Sequence, residues 1–295
     1  MLCGGTRPVC LGPLLSQTLR RRGSVGAGRY GEPMSDDNYG LPAVSLGPVS
    51  MPLLGFGTWQ ISDDDVTAVV STALETGYRH LDTATGYGNE AGIGRALATA
   101  GLRRDEVFVT TKLPPDHGGR ERQTIEESLA KLGLDHVDLW LVHWPPGGQA
   151  APEVWQEVVR AQQDGLVTSV GVSNYSLEQI DEITQAVGVA PAVNQIKWGP
   201  LLYDARQVDG LRERGVVLEG YSPLKATDLE DPRLGAVAQE HGVTPAQVVI
   251  AWHIAHGFVV IPKSTRRERI VANAQAARVP LTVDQVAAVD GLASR

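Results

Sequence analysis

From residue 43 onward, short runs rich in Val, Ile and Leu alternate with longer stretches whose apolar residues recur every three or four positions, the two periods of strand and helix. Ala43–Ser50, broken at Gly47-Pro48, predicts one arm of a small hairpin, and Met51–Trp59 carries the chain into its first core strand. Helical spacing over Asp63–Thr76 follows, with acids at its start where the helix dipole favours them. The alternation then predicts strands at Tyr78–Asp82, Val107–Lys112, Val137–His143, Thr168–Asn174, Ala192–Trp198, Val216–Tyr221 and Phe258–Ile261. Between and after them, helices are predicted from Asn89, as a capped start, to Gly101, then at Arg122–Leu132, Pro152–Gln163, Ser176–Val187 and Ala205–Arg214. Two helical pieces follow, Asp231–His241 and Thr244–His256, then Arg266–Ala277 and a last helix, Val283–Leu292, in a short C-terminal tail.

Strands that alternate with helices imply a parallel sheet covered by helices, and eight such units in a chain of 295 residues predict a single-domain α/β fold, a (β/α)8 TIM barrel. In such barrels the functional groups gather at the carboxyl ends of the strands. Asp82, Lys112 and His143 end three consecutive predicted strands, and Tyr87 lies in the loop after Asp82. Neighbouring strands run about 4.8 Å apart, so these four side chains can converge. A tyrosine is a poor acid or base at neutral pH unless a cation and a low-dielectric pocket change its proton affinity, and Lys112 is the candidate cation.

Charge divides the chain. Residues 1–33 hold Arg7, Arg20, Arg21, Arg22 and Arg29 against Glu32, a local +4, so the formal net charge of −8 leaves −12 on the remainder. An acidic body argues against nucleic acid as a partner. The N-terminal stretch, Gly-, Arg- and Pro-rich without a sustained period, reads as a disordered or non-native extension with initiation at Met34, while a transit peptide is the competing reading. Residues 34–295 form the barrel domain. Both cysteines, Cys3 and Cys10, lie in that extension, which leaves no cysteine-based chemistry in the barrel and suits a reducing, cytoplasmic setting. No apolar run is long enough for a membrane-spanning helix.

Several look-alikes take the plainer reading. Gly92-Ile93-Gly94-Arg95-Ala96-Leu97 lies inside a helical pattern and lacks a third glycine, so it is read as helix packing and not as a dinucleotide turn. His253 and His256 lack further ligands and are assigned to packing or an interface, with no metal site. Trp155 and Trp252 are core candidates; Trp198 fits either core or site. Gly171-Val172-Ser173-Asn174-Tyr175 lacks the final glycine of a nucleophile elbow, and the Asn174-Tyr175-Ser176 sequon has no secretory signal to accompany it.

Gly55-Phe56-Gly57-Thr58-Trp59, Asp82-Thr83-Ala84 with Tyr87-Gly88-Asn89-Glu90, Thr111-Lys112, and Leu141-Val142-His143-Trp144-Pro145 occur in order. Gly171-Val172-Ser173-Asn174, Asn194-Gln195, Tyr221-Ser222-Pro223-Leu224, and Ile261-Pro262-Lys263-Ser264 with Arg269 and Asn273 continue the series. This ordered set resembles the aldo-keto reductase superfamily, in particular its prokaryotic 2,5-diketo-gluconate and aldehyde reductases. The resemblance implies an Asp82, Tyr87, Lys112, His143 tetrad that moves hydride between NADPH and a small carbonyl substrate. Tyr87 would give the proton, Lys112 held by Asp82 would lower the phenol's pKa, and His143 would orient the carbonyl. Trp59 and Trp144 would wall the pocket. Tyr221 is expected to stack on the nicotinamide and Ser173, Asn174 and Gln195 to hold its carboxamide. Lys263, Ser264 and Arg269 would clamp the 2′-phosphate, and Asn273 would meet the adenine. Gly57, Thr58, Trp59, Asp82, Ser222, Leu224 and Thr265 complete the expected cofactor contacts.

The sequence also departs from the family pattern. Ala272 and Lys197 each stand where a glutamate is usual, Trp198 also differs, and the chain ends soon after Leu292, which predicts an open, permissive pocket. The expected protein is thus an NADP-dependent, monomeric carbonyl reductase. A cofactor-sensing regulatory subunit on the same barrel is the alternative, and a Schiff-base enzyme built on Lys112 is disfavoured because Asp82 should keep that lysine charged.

Overall fold

A computed structural model of the chain describes residues 41–293 together with Ser35–Asp36 and Met1. The extension assigned to residues 1–33 therefore lies, Met1 aside, outside the described residues. The chain opens with a small antiparallel sheet of β1 (Ser35–Asp36), β2 (Pro42–Leu46) and β3 (Val49–Pro52), with β2 and β3 joined through Gly47-Pro48. Eight parallel strands follow in strict sequence order: β4 (Phe56–Gly57), β5 (His80–Asp82), β6 (Phe108–Leu113), β7 (Val137–Val142), β8 (Val167–Ser173), β9 (Val193–Lys197), β10 (Val217–Tyr221) and β11 (Val259–Val260).

The sheet closes on itself. Gly55 donates its N–H to Val260 O at 2.9 Å, Val260 donates to Leu53 O at 2.8 Å and Gly57 to Pro262 O at 3.3 Å, so first and last strands share a seam. Closure removes the sheet edges and makes the (β/α)8 barrel expected from the alternation. All six residues of β6 and all six of β7 are buried, one face towards the barrel interior and the other towards the helices.

Local sequence chemistry sets the helix ends. Ser62 caps Asp63–Thr76 by accepting from Asp65 N, and Ser176, Thr244 and Thr282 each form reciprocal capping boxes with a glutamine three residues on. Gly77 ends the first helix at φ 106°, a conformation that costs a side chain but not glycine.

Three sequence expectations change. Ala43–Ser50 is not one arm of the hairpin: it holds parts of both β2 and β3, which turn at Gly47-Pro48, and β3 runs on to Pro52 before the chain enters the barrel at Phe56–Gly57. His143 falls one residue beyond its strand. Asn89 precedes the helix Glu90–Thr99 but its side chain does not cap it. Instead it accepts from Thr83 Oγ1 at 2.9 Å and donates to Thr58 O and Ile61 O at 3.0 and 2.9 Å, tying the loop above β5 to the loop above β4.

Gly92 and Gly94 do serve helix packing: a methyl on Gly94 would stand 2.6 Å from Lys131 O on the neighbouring helix, and one on Gly92 would overlap Val66. Trp155 and Trp252 are fully buried, and Trp198 joins them, edge-on to Tyr203 and Phe258. Trp252 Nε1 and His256 Nε2 both meet Asp290 Oδ1 at 2.7 Å, which fastens the last helix, Val283–Asp290, to the barrel wall. His253 likewise packs, its Nδ1 2.7 Å from Val249 O. Among the described residues no cluster of His, Cys, Asp or Glu could hold a metal, and no helix is long and apolar enough to cross a membrane.

Candidate active site

The carboxyl ends of the strands open into one cavity of about 740 Å³. At its base, Lys112 Nζ donates to Asp82 Oδ1 and to Thr83 O, both at 2.7 Å, and lies 3.4 Å from Tyr87 Oη. Three consecutive strand ends and the short turn Thr85–Tyr87 thus bring Asp82, Lys112, Tyr87 and His143 together. The rings of Tyr87 and His143 meet edge-on, with centroids 5.6 Å apart. Lys112 is fully buried and Asp82 is 2% exposed, so water does not separate the pair.

Burial shapes the protonation of this group. It pulls the Lys112 ammonium downward, but Asp82, Tyr87 and Glu219 together hold it above its ordinary value, which keeps it charged. The sequence led us to expect a lowered Tyr87 pKa. The opposite direction is found: burial pushes the phenol up and the opposing pull of Lys112 only reduces the shift. Tyr87 therefore holds its proton firmly. His143 is depressed to about 3, first by burial and then by Lys112, and is a neutral imidazole at neutral pH.

Two other histidines are kept neutral by burial, His80 depressed to about 3 and His253 to about 4. A base whose pKa falls on folding contributes stability that is complete above its unfolded value near 6.5 and is lost as pH falls towards the folded value. We expect urea midpoints to drop steadily from pH 6.5 to pH 5, where each neutral histidine loses about 2 kcal/mol. Substituting His253 with Gln should flatten part of that drop.

The cofactor candidates fall into three groups. Ser173, Asn174, Gln195 and Tyr221 line the cavity in a connected set. Ser173 Oγ donates to Gln195 O at 2.8 Å and accepts from Asn174 Nδ2 at 2.9 Å, and Tyr221 Oη donates to Asn174 Oδ1 at 3.0 Å. Gln195 Nε2 reaches down to Asp82 Oδ2 at 2.8 Å, linking this set to the base of the site. Gly57, Trp59, Asp82, Ser222, Leu224 and Lys263 also line the cavity, with Trp144 on its rim, and Trp59 and Trp144 are each 48% exposed. Thr58, Ser264, Thr265, Arg269 and Asn273 lie outside its lining. Thr58 is a buried brace whose Oγ1 donates to Asp82 O at 2.9 Å. Ser264 Oγ accepts from Arg266 N at 3.1 Å at the entrance to the helix Arg267–Ala276, with Arg269 exposed and Asn273 buried in that helix.

Sequence reasoning missed Gln60, Gly86, Lys197, Pro223, Lys225, Ile261 and Pro262 as lining residues. Lys225 Nζ lies 5.3 Å from the Trp59 ring centroid, a cation–π contact across the mouth that sequence spacing cannot show. Gln60, Asn174 and Ser222 share another property. Each has positive φ (58°, 64° and 52°) without being glycine, and all three line the cavity. Such backbone costs about 1–3 kcal/mol per residue and concentrates at ligand sites.

The lining carries Lys197, Lys225 and Lys263 against one carboxylate, Asp82, which Lys112 already neutralises. A cavity lined by spare cations and by amide and hydroxyl groups, with an acid buried beneath them, suits an anionic dinucleotide and a small neutral reactant. The fold and this site define a barrel oxidoreductase. The family model of the aldo/keto reductase family matches residues 53–294, and the chain belongs to that family. An aldo-keto reductase of Mycolicibacterium vanbaalenii is 44% identical over 257 residues, 85% of this chain and 92% of that protein. The methylglyoxal reductase DkgA of Escherichia coli is 40% identical over 227 residues, 76% and 82% of the two chains. A crystal structure of a Bombyx mori aldo-keto reductase in complex with NADP superposes with a TM-score of 0.76 at 32% identity, covering 85% of this chain and 92% of that one. The chain is an oxidoreductase that acts on carbonyl compounds.

Proposed function

We propose that the protein reduces small aldehydes and ketones, dicarbonyls and sugar-derived carbonyls among them, to alcohols with Tyr87 as the proton donor. NADPH is the cofactor. The observation that carries the proton-donor role is the buried Asp82–Lys112 pair with the Tyr87 hydroxyl 3.4 Å from the ammonium, at the floor of an open cavity. The DkgA relatives, named methylglyoxal reductases, support the dicarbonyl class.

Bound NADPH supplies hydride from its nicotinamide. Everything else falls to the chain's own groups. The oxygen of a reduced carbonyl gains negative charge and needs a proton within hydrogen-bond reach. Tyr87 holds its proton until that moment, because burial disfavours the phenolate. When the proton leaves, the phenolate forms beside a fixed ammonium, a charge arrangement already assembled before reaction. Asp82 keeps Lys112 charged and therefore keeps it from acting as an amine nucleophile, which argues against Schiff-base chemistry. A neutral His143 can donate one N–H to the substrate oxygen without competing as an acid. Trp59 and Trp144, half-exposed among the lining residues, would wall the pocket over a bound carbonyl and help exclude water.

Ser173, Asn174 and Gln195 would orient the nicotinamide carboxamide and Tyr221 its ring, while Lys263, Ser264, Thr265 and Arg269 would meet the adenosine 2′-phosphate near the start of the helix Arg267–Ala276. A barrel free of cysteine suits the cytoplasm, and we assign the enzyme there as a monomer.

The test is NADPH oxidation over a panel of aldehydes and dicarbonyls, which should show many turnovers per protein. A single stoichiometric oxidation would instead mark a cofactor-sensing subunit. In the same assay, Lys263→Glu should weaken NADPH binding 10- to 100-fold, as about 1.5–3 kcal/mol for a charge-assisted contact implies, and leave NADH nearly untouched. Tryptophan fluorescence titration reads this independently of turnover, and equal losses for both cofactors would remove Lys263 from the phosphate clamp.

A further inference from the structure

Beneath the site, the barrel interior holds an acid that the mechanism above does not use. Glu219, in the middle of β10, is fully buried, and neither of its carboxyl oxygens accepts a well-formed hydrogen bond among the described residues. Its Oε1 lies 3.8 Å from His80 Nε2, which is itself 3.2 Å from Thr110 Oγ1. On the other side, Glu219 stands in register with Gln195 on β9, and Gln195 donates to Asp82 Oδ2 at 2.8 Å. His80 and Asp82 are two residues apart on β5, so their side chains share a face, one layer apart. The titratable groups facing Glu219 are thus His80 and Asp82 on β5, Lys112 on β6 and Tyr87 above them, since its charge acts on the last three. The neighbouring strands β9 and β11 pair it with Gln195 and Val259, which do not titrate.

A carboxyl whose only hydrogen-bond support is the loosely placed amide of Gln195 is costly as an anion in a barrel core, and an apolar side chain of equal volume would serve packing as well or better. Packing alone therefore gives no reason for an acid at this position. We propose that Glu219, with His80 behind it, is a positioning residue for the catalytic proton: its charge state, transmitted through Asp82 and Lys112, sets how firmly Tyr87 holds that proton. This rests on the reading of Tyr87 as proton donor. Burial, with Asp82 adding to it, raises the Glu219 carboxyl to about 8 against the opposing pull of the Gln195 amide and Lys112, so the group is neutral when the cell is near neutrality and ionises just above it. Once ionised it places a second negative charge behind Lys112, which pushes the phenol of Tyr87 further up. The protein then keeps its proton donor loaded further into the alkaline range than the Asp82–Lys112 pair alone would allow.

Glu219→Gln keeps the shape and removes the titration. We expect reduction at pH 7 to stay within about threefold of wild type. The alkaline limb of kcat/KM should move about one pH unit towards neutrality, the shift that about 1.4 kcal/mol between unit charges roughly 12 Å apart makes at an effective dielectric near 20. Superimposable pH profiles would overturn the proposal, and a loss of stability with an unmoved limb would reduce Glu219 to a packing role. Glu219→Leu, which needs no hydrogen bond, serves if the glutamine variant does not accumulate, and the same acidward shift is expected. A second readout needs only the wild-type chain. An acid with a raised folded pKa contributes stability that is lost as pH climbs towards that value, so urea midpoints should fall from pH 6.5 to 8, above the histidine window. A flat wild-type profile there would overturn the buried-acid premise. A falling profile combined with a fully active Tyr87→Phe would instead overturn the assignment of Tyr87 while leaving Glu219 a titrating buried acid.

Discussion

Replacing Tyr87 with Phe is expected to lower kcat for carbonyl reduction by about 10²–10⁴, the range that a positioned general acid contributes, while NADPH binds as tightly as before. The geometry makes this substitution clean. The Phe ring keeps its edge contact with His143 and its place 5.0 Å from Lys112 Nζ, and only the 3.4 Å approach of Nζ to the hydroxyl disappears. Lys112 retains Asp82 and Thr83 O as partners, so no buried charge is stranded and the unfolding midpoint should not move. Steady-state turnover and a fluorescence titration of NADPH separate the two effects. Undiminished turnover would take Tyr87 out of the chemistry and with it the proposed mechanism.

Lys112→Met should damage both activity and folding. The ammonium is fully buried and pairs with an acid that is 2% exposed, so its removal leaves an uncompensated carboxylate in the barrel interior. Such a loss costs about 3–5 kcal/mol, a large fraction of what holds a domain together. Adding Asp82→Asn to Lys112→Met removes the stranded charge and should return most of the stability, read by urea unfolding, without returning turnover. If the single variant were as stable as wild type, the pair would be worth far less than its burial implies. If the double variant turned over, neither side chain would be needed to support Tyr87.

Alternation of periods carried most of the architecture. Strand ends at Asp82 and Lys112 were legible within one residue because short strand-like runs give way there to loop formers, Thr83-Ala84-Thr85-Gly86 after the first and Pro114-Pro115 after the second. Legibility failed where one side chain answers to distant partners. Asn89 has the right identity and position for a cap, yet its amide closes three loop contacts across the barrel top instead. The expected drop in the Tyr87 pKa followed from one neighbour, Lys112, whereas its direction is set by the burial that every surrounding element contributes. Lys225 on Trp59, and the positive φ at Gln60, Asn174 and Ser222, have no signature in a single chain. Glu219 reads in sequence as one acid within a strand, and only closure of the sheet sets it behind Asp82 and beside His80.

By itself, then, the order of residues determined the eightfold alternation, the placing of acid, lysine and histidine at or within one residue of three successive strand ends, and the family to which their motifs point. Those are properties of neighbours along the chain, written in side-chain period and in local capping and turn chemistry. The tertiary structure decided which groups are dry. Protonation follows from burial and from charges brought close by strands far apart in sequence, so the neutral histidines, the firmly held phenol proton and the buried acid of β10 exist only once the barrel has closed.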